Sequence, residues 1–495
     1  MEPNNKSVVT RFAPSPTGYL HIGGVRTALY AYLFAKKNNG TFILRIEDTD
    51  KAREVAGSIA HIQESLLWLG IKWDYGPEKP GEFTSCLQSE RLPIYHKYAQ
   101  QLIAKGLAYP DPYTQEEVEV FRQDAAAKKT PFLFRNHRPT EAEEWDGKKP
   151  LRLKVPTIKR YIWNDAVRGK LSAGEEMLDD FILIKSDGYP TYNFAHIIDD
   201  LEMGVTHIMR ADEFISSTPK FLSLYDALEI PYPVFATLPP ILREDRTKKL
   251  GKRDGAKDIL DYRTEGYLPE AMANFLALIG WNPGTDQEIF SMEELIEVFT
   301  LEKIQKAGGA FNEEKLDWMN KEYLKKYTDT EFLNYLQQTE IKEETEFINL
   351  IPSDRLERAL STIRERLSVR VEFYKSDEDG GREFDYLIMT KSYETELLKW
   401  KNDDSVDNAL PRLEHLKSLI ESASTDAFAS IEAVKELIWP YAEETGKGEV
   451  LWPLRVALCG TSQSPDPFTL AYILGPEETI QRIVSACDKI QSNAS

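Results

Sequence analysis

The sequence has 495 residues, with 81 acidic against 61 basic side chains and a formal net charge of -20. This length supports two to four domains with cores of their own, and no stretch reaches the ~18 or more apolar residues of a membrane span. Cys86, Cys459 and Cys487 lack paired spacing and imply neither a disulfide framework nor a zinc motif. The acidity gives no support of its own for a nucleic-acid partner, although a local basic surface can still hold phosphates.

In chain order, residues 7–12 are short and β-prone, and Val25, Ala28, Leu29, Tyr32 and Leu33 then recur at helical spacing until Asn38-Asn39-Gly40. A second apolar strand is expected over residues 41–46, ending on Glu47-Asp48-Thr49-Asp50. Strand, Gly/Pro-punctuated loop, helix and strand make a βαβ unit, in which ligands gather at the carboxyl ends of strands and phosphates at a helix amino terminus. In the loop, Gly18, Gly23 and Gly24 let backbone approach a bulky ligand, while Pro14 and Pro16 stiffen it. Arg11 at the strand end can grip a carboxylate in bidentate fashion, and His21 stands where an imidazole can reach a phosphate oxygen. A structural turn with an incidental histidine is the plainer reading of a bare G-x-x-x-x-G; the strand before and helix after favour a nucleotide site.

Residues 54–69 read as an amphipathic helix, and a further helix opens at Gln88 and stops at Gly106. Residues 107–192 break the alternation, with a polar helical run at 115–129 and β-rich pieces at 151–155 and 161–164, as an insertion between two halves of a nucleotide-binding fold would. The parallel fold is expected to resume at residues 181–184, followed by a turn through Tyr192 and a strand at 205–209 ending on Arg210. Ser217-Thr218-Pro219 starts a helix with proline in its first turn. Residues 234–238 and 241–242 give the last strands before Lys248-Lys249-Leu250-Gly251-Lys252-Arg253. From Leu268 the pattern is almost wholly helical, broken at Trp281-Asn282-Pro283-Gly284, at Gly308-Gly309 and by an acidic loop at 377–381.

The stretch Arg11-Phe12-Ala13-Pro14-Ser15-Pro16-Thr17-Gly18, with His21-Ile22-Gly23-Gly24, resembles the first signature of class I glutamyl-tRNA synthetases. Arg45-Ile46-Glu47-Asp48-Thr49-Asp50 and Lys248 through Arg253 resemble that family's next motifs, in the same order, and the likeness runs over essentially the whole chain. The resemblance implies an α/β, Rossmann-like parallel-sheet catalytic domain with an α+β insertion, followed by an all-helical anticodon-binding region of bacterial type. The corresponding domains are 1–106 (first catalytic half), 107–192 (acceptor-end insertion), 193–265 (second half with the lysine loop), 266–330 (helical connection) and 331–495 (anticodon region). The lack of period-2 patterning after Thr330 argues against the β-barrels of the related glutaminyl branch.

The resemblance further implies a ligase that activates L-glutamate with ATP and Mg2+ and transfers it to the 3' end of tRNA(Glu). No protein nucleophile is needed, because the substrate carboxylate is one already; the chemistry is positioning and charge stabilisation. Matched residue by residue, His21, Lys249 and Lys252 are catalytic. Arg11, Ala13, Ser15, Glu47, Tyr192 and Arg210 bind glutamate, and Gly18, His21, Gly23, Glu213, Lys249 and Lys252 contact ATP. Arg366 reads the third anticodon base. Gly24 and Gly251 depart from the usual histidine and serine of these signatures, as they would also in a non-catalytic paralogue. His196 stands where relatives vary and reads equally as a packed histidine. No zinc or other resident metal is expected, since no cysteine lies between Cys86 and Cys459. A cytoplasmic monomer without a membrane segment is expected, residues 1–6 carrying neither an apolar signal core nor an Arg-rich helix.

Overall fold

The first β-prone run forms strand β1 (Val9–Phe12) in a computed structural model that describes residues 7–141, 143–251, 257–339, 341–376 and 381–493. Strand β1 pairs in parallel with β2 (Thr41–Leu44), Val9 opposite Thr41 and Phe12 opposite Leu44, with helix α1 (Ile22–Lys37) as the crossover. The crossover ends at Asn38, and Asn39 turns the chain at a positive φ of 51°. Gly40 then passes so close to Val8 that a Cβ would stand 2.1 Å from its carbonyl oxygen. Helix α2 (Ser58–Trp68) starts later than its periodicity suggests, because Lys51–Arg53 forms a separate 3-10 turn and Gly57 is left-handed. Helix α3 (Leu92–Ala104) likewise begins after the 3-10 turn Gln88–Glu90, with Arg91 out of helical geometry between them.

The stretch between the two halves contains β3 (Ala108–Pro110), α4 (Gln115–Ala127), β4 (Leu151–Leu153), β5 (Tyr161–Asp165), β6 (Gly169–Ala173) and β7 (Ile182–Ile184). Here the structure corrects one expectation: the parallel fold does not resume at residues 181–184. Strand β7 pairs antiparallel with β4 in the sheet β3-β4-β7, whereas β5 joins β9 (Val234–Leu238) in parallel, with Asp165 opposite Phe235. The Asp165 carboxylate fixes that pairing by accepting from the Thr237 N–H at 3.0 Å and its hydroxyl at 2.6 Å. A run of three apolar residues encodes burial but not strand direction.

Helix α5 (Tyr192–Glu202), strand β8 (His207–Ala211) and helix α6 (Thr218–Leu228) lead into β9, which pairs in parallel with β8 from His207–Val234 to Ala211–Leu238. Strand β1 lies beside β8: the Thr206 N–H donates to the Val9 carbonyl at 2.9 Å, and the Val9 N–H donates to the Thr206 hydroxyl at 2.9 Å. Across the sheet the parallel strands therefore run β2, β1, β8, β9, β5. Between β1 and β8 the direction of winding reverses, and this is the place where doubly wound sheets open a crevice at their carboxyl ends. Arg11 and Arg210 occupy those ends.

The described chain divides into two compact units, Met1–Arg263 with Leu268–Leu316, and Thr264–Tyr267 with Asp317–Ser495. In the first, Arg26 and Tyr30 of α1 bond the carbonyl of Ile279 at 3.0 and 2.8 Å, tying the helix Pro269–Leu278 to the crossover helix of the parallel sheet. The second has no β-strand among its described residues. Its helix Ser353–Arg366 buries Leu356, Ala359, Leu360 and Ile363, the stripe expected from 3.6-residue spacing. Its last helix, Pro467–Asn493, is kinked at Gly475-Pro476, where the glycine φ is 77°.

Candidate active site

His21 is set by its own helix. It is the N-cap of α1, in extended geometry, and its Nδ1 accepts the Gly23 N–H at 3.1 Å. With Nδ1 serving as acceptor, a ring proton stands on Nε2. Gly23 has a reason the sequence did not disclose: a Cβ there would stand 3.0 Å from His21 Cε1. It makes room for the histidine ring and is not among the residues lining the cleft, whereas Gly18 is. At Gly24 a Cβ would meet Leu20 Cδ1 at 2.8 Å, so the departure from histidine at this position matches a packed site.

Behind the loop lies a buried ionic network. Asp200 on α5 accepts from Arg11 Nε at 3.0 Å and from Arg45 Nη1 at 2.7 Å. Arg45 reaches Glu47 with Nη2 at 3.1 Å. Asp199 takes Arg91 Nε, Gln88 Nε2 and the Tyr95 hydroxyl, each at 2.8 Å. Arg45 is fully buried, and Arg11, Glu47, Arg91, Asp199 and Asp200 are nearly so. Burial alone would raise Asp200, but the Arg11 and Arg45 guanidiniums outweigh it and hold the carboxyl down to about 2. For Glu47 the balance tips the other way: burial pushes it up, against Arg45 and Arg11, to about 7.

Arg11, Arg45 and Arg91 thus face Glu47, Asp199 and Asp200, charge for charge. Arg210 has no such partner. It is 6% exposed and has no ion pair with any described carboxylate. Its Nη2 donates to the Thr218 hydroxyl at 2.8 Å, its Nε is buried without a partner, and Phe221 and Phe235 lie 5.0 and 4.7 Å from its guanidinium. Burial brings it down from 12.5 to about 10. Beside it, the Tyr192 ring stacks on His196 at 4.6 Å. His196 is buried and held down to about 3 by that burial, so it is neutral, and its Nδ1–H donates to the Tyr192 carbonyl at 2.7 Å.

Arg11, Glu47, Tyr192 and Arg210 open into one cleft of about 480 Å3 at the carboxyl ends of β1 and β8. Its walls bring together Arg11, Ala13, Ser15, Glu47, Tyr192 and Arg210, and at its rim Gly18, His21 and Glu213. Lys249 lies outside the lining, its Nζ 2.8 Å from Glu213 Oε2 in an exposed pair. Lys252 falls outside the described residues. Sequence reasoning missed Arg45, Arg91, Asp199 and Asp200 as parts of the site; the signal was two adjacent acids on a helix otherwise carrying Phe194, Ala195, Ile197 and Ile198 inward. In the second unit, Arg366 at the end of its helix lines a separate cavity of about 690 Å3 with Tyr386, Ser376 and Gln463, and its Nε pairs with Glu383 at 2.5 Å. No group of three or more His, Cys, Asp or Glu among the described residues could hold a metal ion.

The family model for the catalytic domain of class I tRNA synthetases (E and Q) matches residues 7–318, and an anticodon binding domain matches residues 322–487. The chain is 40% identical to the glutamate–tRNA ligase of Carboxydothermus hydrogenoformans over 500 residues, covering 97% of this chain and 99% of that protein. A glutamate–tRNA ligase of Clostridium botulinum is likewise 40% identical over 498 residues, covering 98% and 99%. Among solved structures, the glutamate tRNA ligase of Elizabethkingia meningosepticum in complex with its amino acid superposes with a TM-score of 0.86 at 36% identity, covering 98% of this chain and all of that one.

Proposed function

The chain belongs to the class I tRNA synthetases of the E and Q type, among the glutamate–tRNA ligases, and from that premise we propose how its cleft divides the work. The observation that carries the assignment is the charge balance. Glutamate brings two carboxylates and one ammonium, a net charge of -1, to a cleft whose buried groups pair off except for Arg210. Arg210 receives the side-chain carboxylate of the substrate, with Tyr192 beside it. Glu47 receives the α-ammonium, and Arg11, held in place by Asp200, faces the α-carboxylate region between Ala13 and Ser15. A planar guanidinium suits this task because it grips a carboxylate through two parallel bonds.

The substrate α-carboxylate attacks the α-phosphorus of ATP; the bond to pyrophosphate breaks and glutamyl adenylate remains. A terminal ribose hydroxyl of tRNA then attacks the acyl carbon and releases AMP. His21 offers its Nε2–H to a phosphate oxygen as charge builds up at phosphorus. Lys249 and Lys252 meet the departing pyrophosphate. The exposed Lys249–Glu213 pair does not hold the lysine back, since such pairs are worth roughly 0–1 kcal/mol, and its release frees Glu213 for the nucleotide. Mg2+ enters on the phosphates of ATP. Residues 107–192 meet the acceptor end of tRNA, 266–330 its stem and 331–495 its anticodon, where Arg366 faces the third base. The chain acts as a monomer in this reading. The deciding experiment is aminoacylation of purified glutamate-type and glutamine-type tRNA transcripts. Charging of the first and refusal of the second is expected; failure to charge either, with no pyrophosphate exchange in the presence of tRNA, would reject the reading.

A further inference from the structure

Helix α2 is not part of either catalytic signature, yet one stripe of it grips the loop that carries His21. Ser58 and His61, three residues apart, point to the same side. The Ser58 hydroxyl donates to the Gly18 carbonyl at 2.8 Å. His61 works in two directions at once. Its Nδ1 accepts the Leu20 N–H at 3.4 Å, and its Nε2 lies 2.8 and 2.9 Å from the two carboxylate oxygens of Asp258. Asp258 is in turn bridged, antiparallel, to His21, and the Ile259 N–H donates to the Leu20 carbonyl at 3.3 Å. Tyr19, half exposed and lining the cleft, stacks on the His61 ring at 4.6 Å with the planes 19° apart. One imidazole therefore spans the residue before His21 and the residue across from it.

We propose that His61 is a positioning residue: through Leu20 and Asp258 it fixes the height and orientation of His21 against the phosphates of the nucleotide. This rests on the reading of His21 as a phosphate contact. The donors to Asp258 and from Leu20 use opposite ring nitrogens, so the neutral Nε2–H tautomer satisfies both at once. A carboxylate, which has no N–H to give to Asp258, could not do so. A misplacement of about 1 Å at a phosphate donor costs on the order of a hundredfold in rate; that is the scale at stake if the bridge is cut.

The test compares His61→Phe, which keeps the stack on Tyr19 and removes both bonds, with His61→Gln, which keeps a donor for Asp258, each alone and in the His21→Ala background. Pyrophosphate exchange is measured with tRNA present, together with the thermal midpoint. His61→Phe should lower kcat for exchange by roughly 30- to 100-fold, with the KM for glutamate and the midpoint unchanged. His61→Gln should recover most of that loss. In the His21→Ala background, His61→Phe should have no further effect, because the path runs through His21. A normal kcat in His61→Phe, or losses that multiply in the double variant, overturns the proposal. A fall in the midpoint that accounts for the lost activity does the same. Should His61→Phe fail to fold, His61→Leu, which also removes both bonds, is read by the same criteria. If His21→Ala alone leaves exchange intact, it is the phosphate role of His21 that fails, and the two failures are thereby distinguished.

Discussion

Replacing Arg210 by methionine separates what the residue does for the substrate from what it costs the fold. The guanidinium is buried beside three phenylalanine rings without a described carboxylate partner, and burial lowers it from 12.5 to about 10. A base whose proton affinity falls on folding weakens the fold wherever it is charged in both states. Here that is the whole range below pH about 10, relieved only as pH rises through that value towards 12.5. The depression corresponds to about 3 kcal/mol. Methionine removes that cost and also the bond to Thr218, worth roughly 1.5–3 kcal/mol for a charged donor, so Arg210→Met should be as stable as the parent or about 1 kcal/mol more stable. Glutamate, by contrast, would leave a carboxylate buried without its cation, a loss of about 3–5 kcal/mol, or between a hundredfold and a few thousandfold in kcat/KM. Chemical denaturation and pyrophosphate exchange at varied glutamate measure the two effects. Arg45→Met is the control: it breaks paired charges with Asp200 and Glu47 and should destabilise by about 3–5 kcal/mol. An unchanged glutamate KM in Arg210→Met, or a loss of stability like that of the control, would refute the idea that Arg210 awaits the substrate.

Glu47 sets a pH dependence. Its carboxyl stands at about 7 in the free protein and must be ionised to receive an ammonium, so the glutamate KM should be flat at alkaline pH and rise about tenfold per pH unit below about 7; a KM that stays flat down to about pH 5.5 contradicts this. His21→Ala should lower the exchange rate by about a hundred- to a thousandfold with little change in ATP KM, and near-normal activation would remove His21 from the phosphate site. Arg366→Gln should narrow the preference for glutamate tRNA over glutamine tRNA by about 1–3 kcal/mol while adenylate chemistry stays nearly intact. Equal charging of both tRNAs by the unaltered protein would show that Arg366 does not discriminate.

Local patterns in the sequence were enough for the βαβ start, the loop around His21, the proline-opened helix at Thr218 and the helical second unit, because each depends on 3.6-residue or two-residue spacing and on glycine and proline within a few positions. The residues of the cleft were named by their motifs, and the strand ends that carry Arg11 and Arg210 were readable from apolar runs. Strand direction was not: β7 and β5 are both short segments, and pairing with β9, through the Asp165 bonds to Thr237, 72 residues away, and the Ala166 N–H on the Phe235 carbonyl, places β5 in the parallel sheet. Nor could the sequence tell Arg11 from Arg210, two arginines at strand ends. One meets Asp200, 189 positions away, and the other meets aromatic rings. Whether a buried cation is balanced depends on which carboxylates share its low-dielectric surroundings, and those neighbours are assembled by chain reversals that no local pattern encodes. The sequence alone named groups suited to the chemistry; the tertiary structure decided which of them are already paired and left Arg210 buried without a described carboxylate partner.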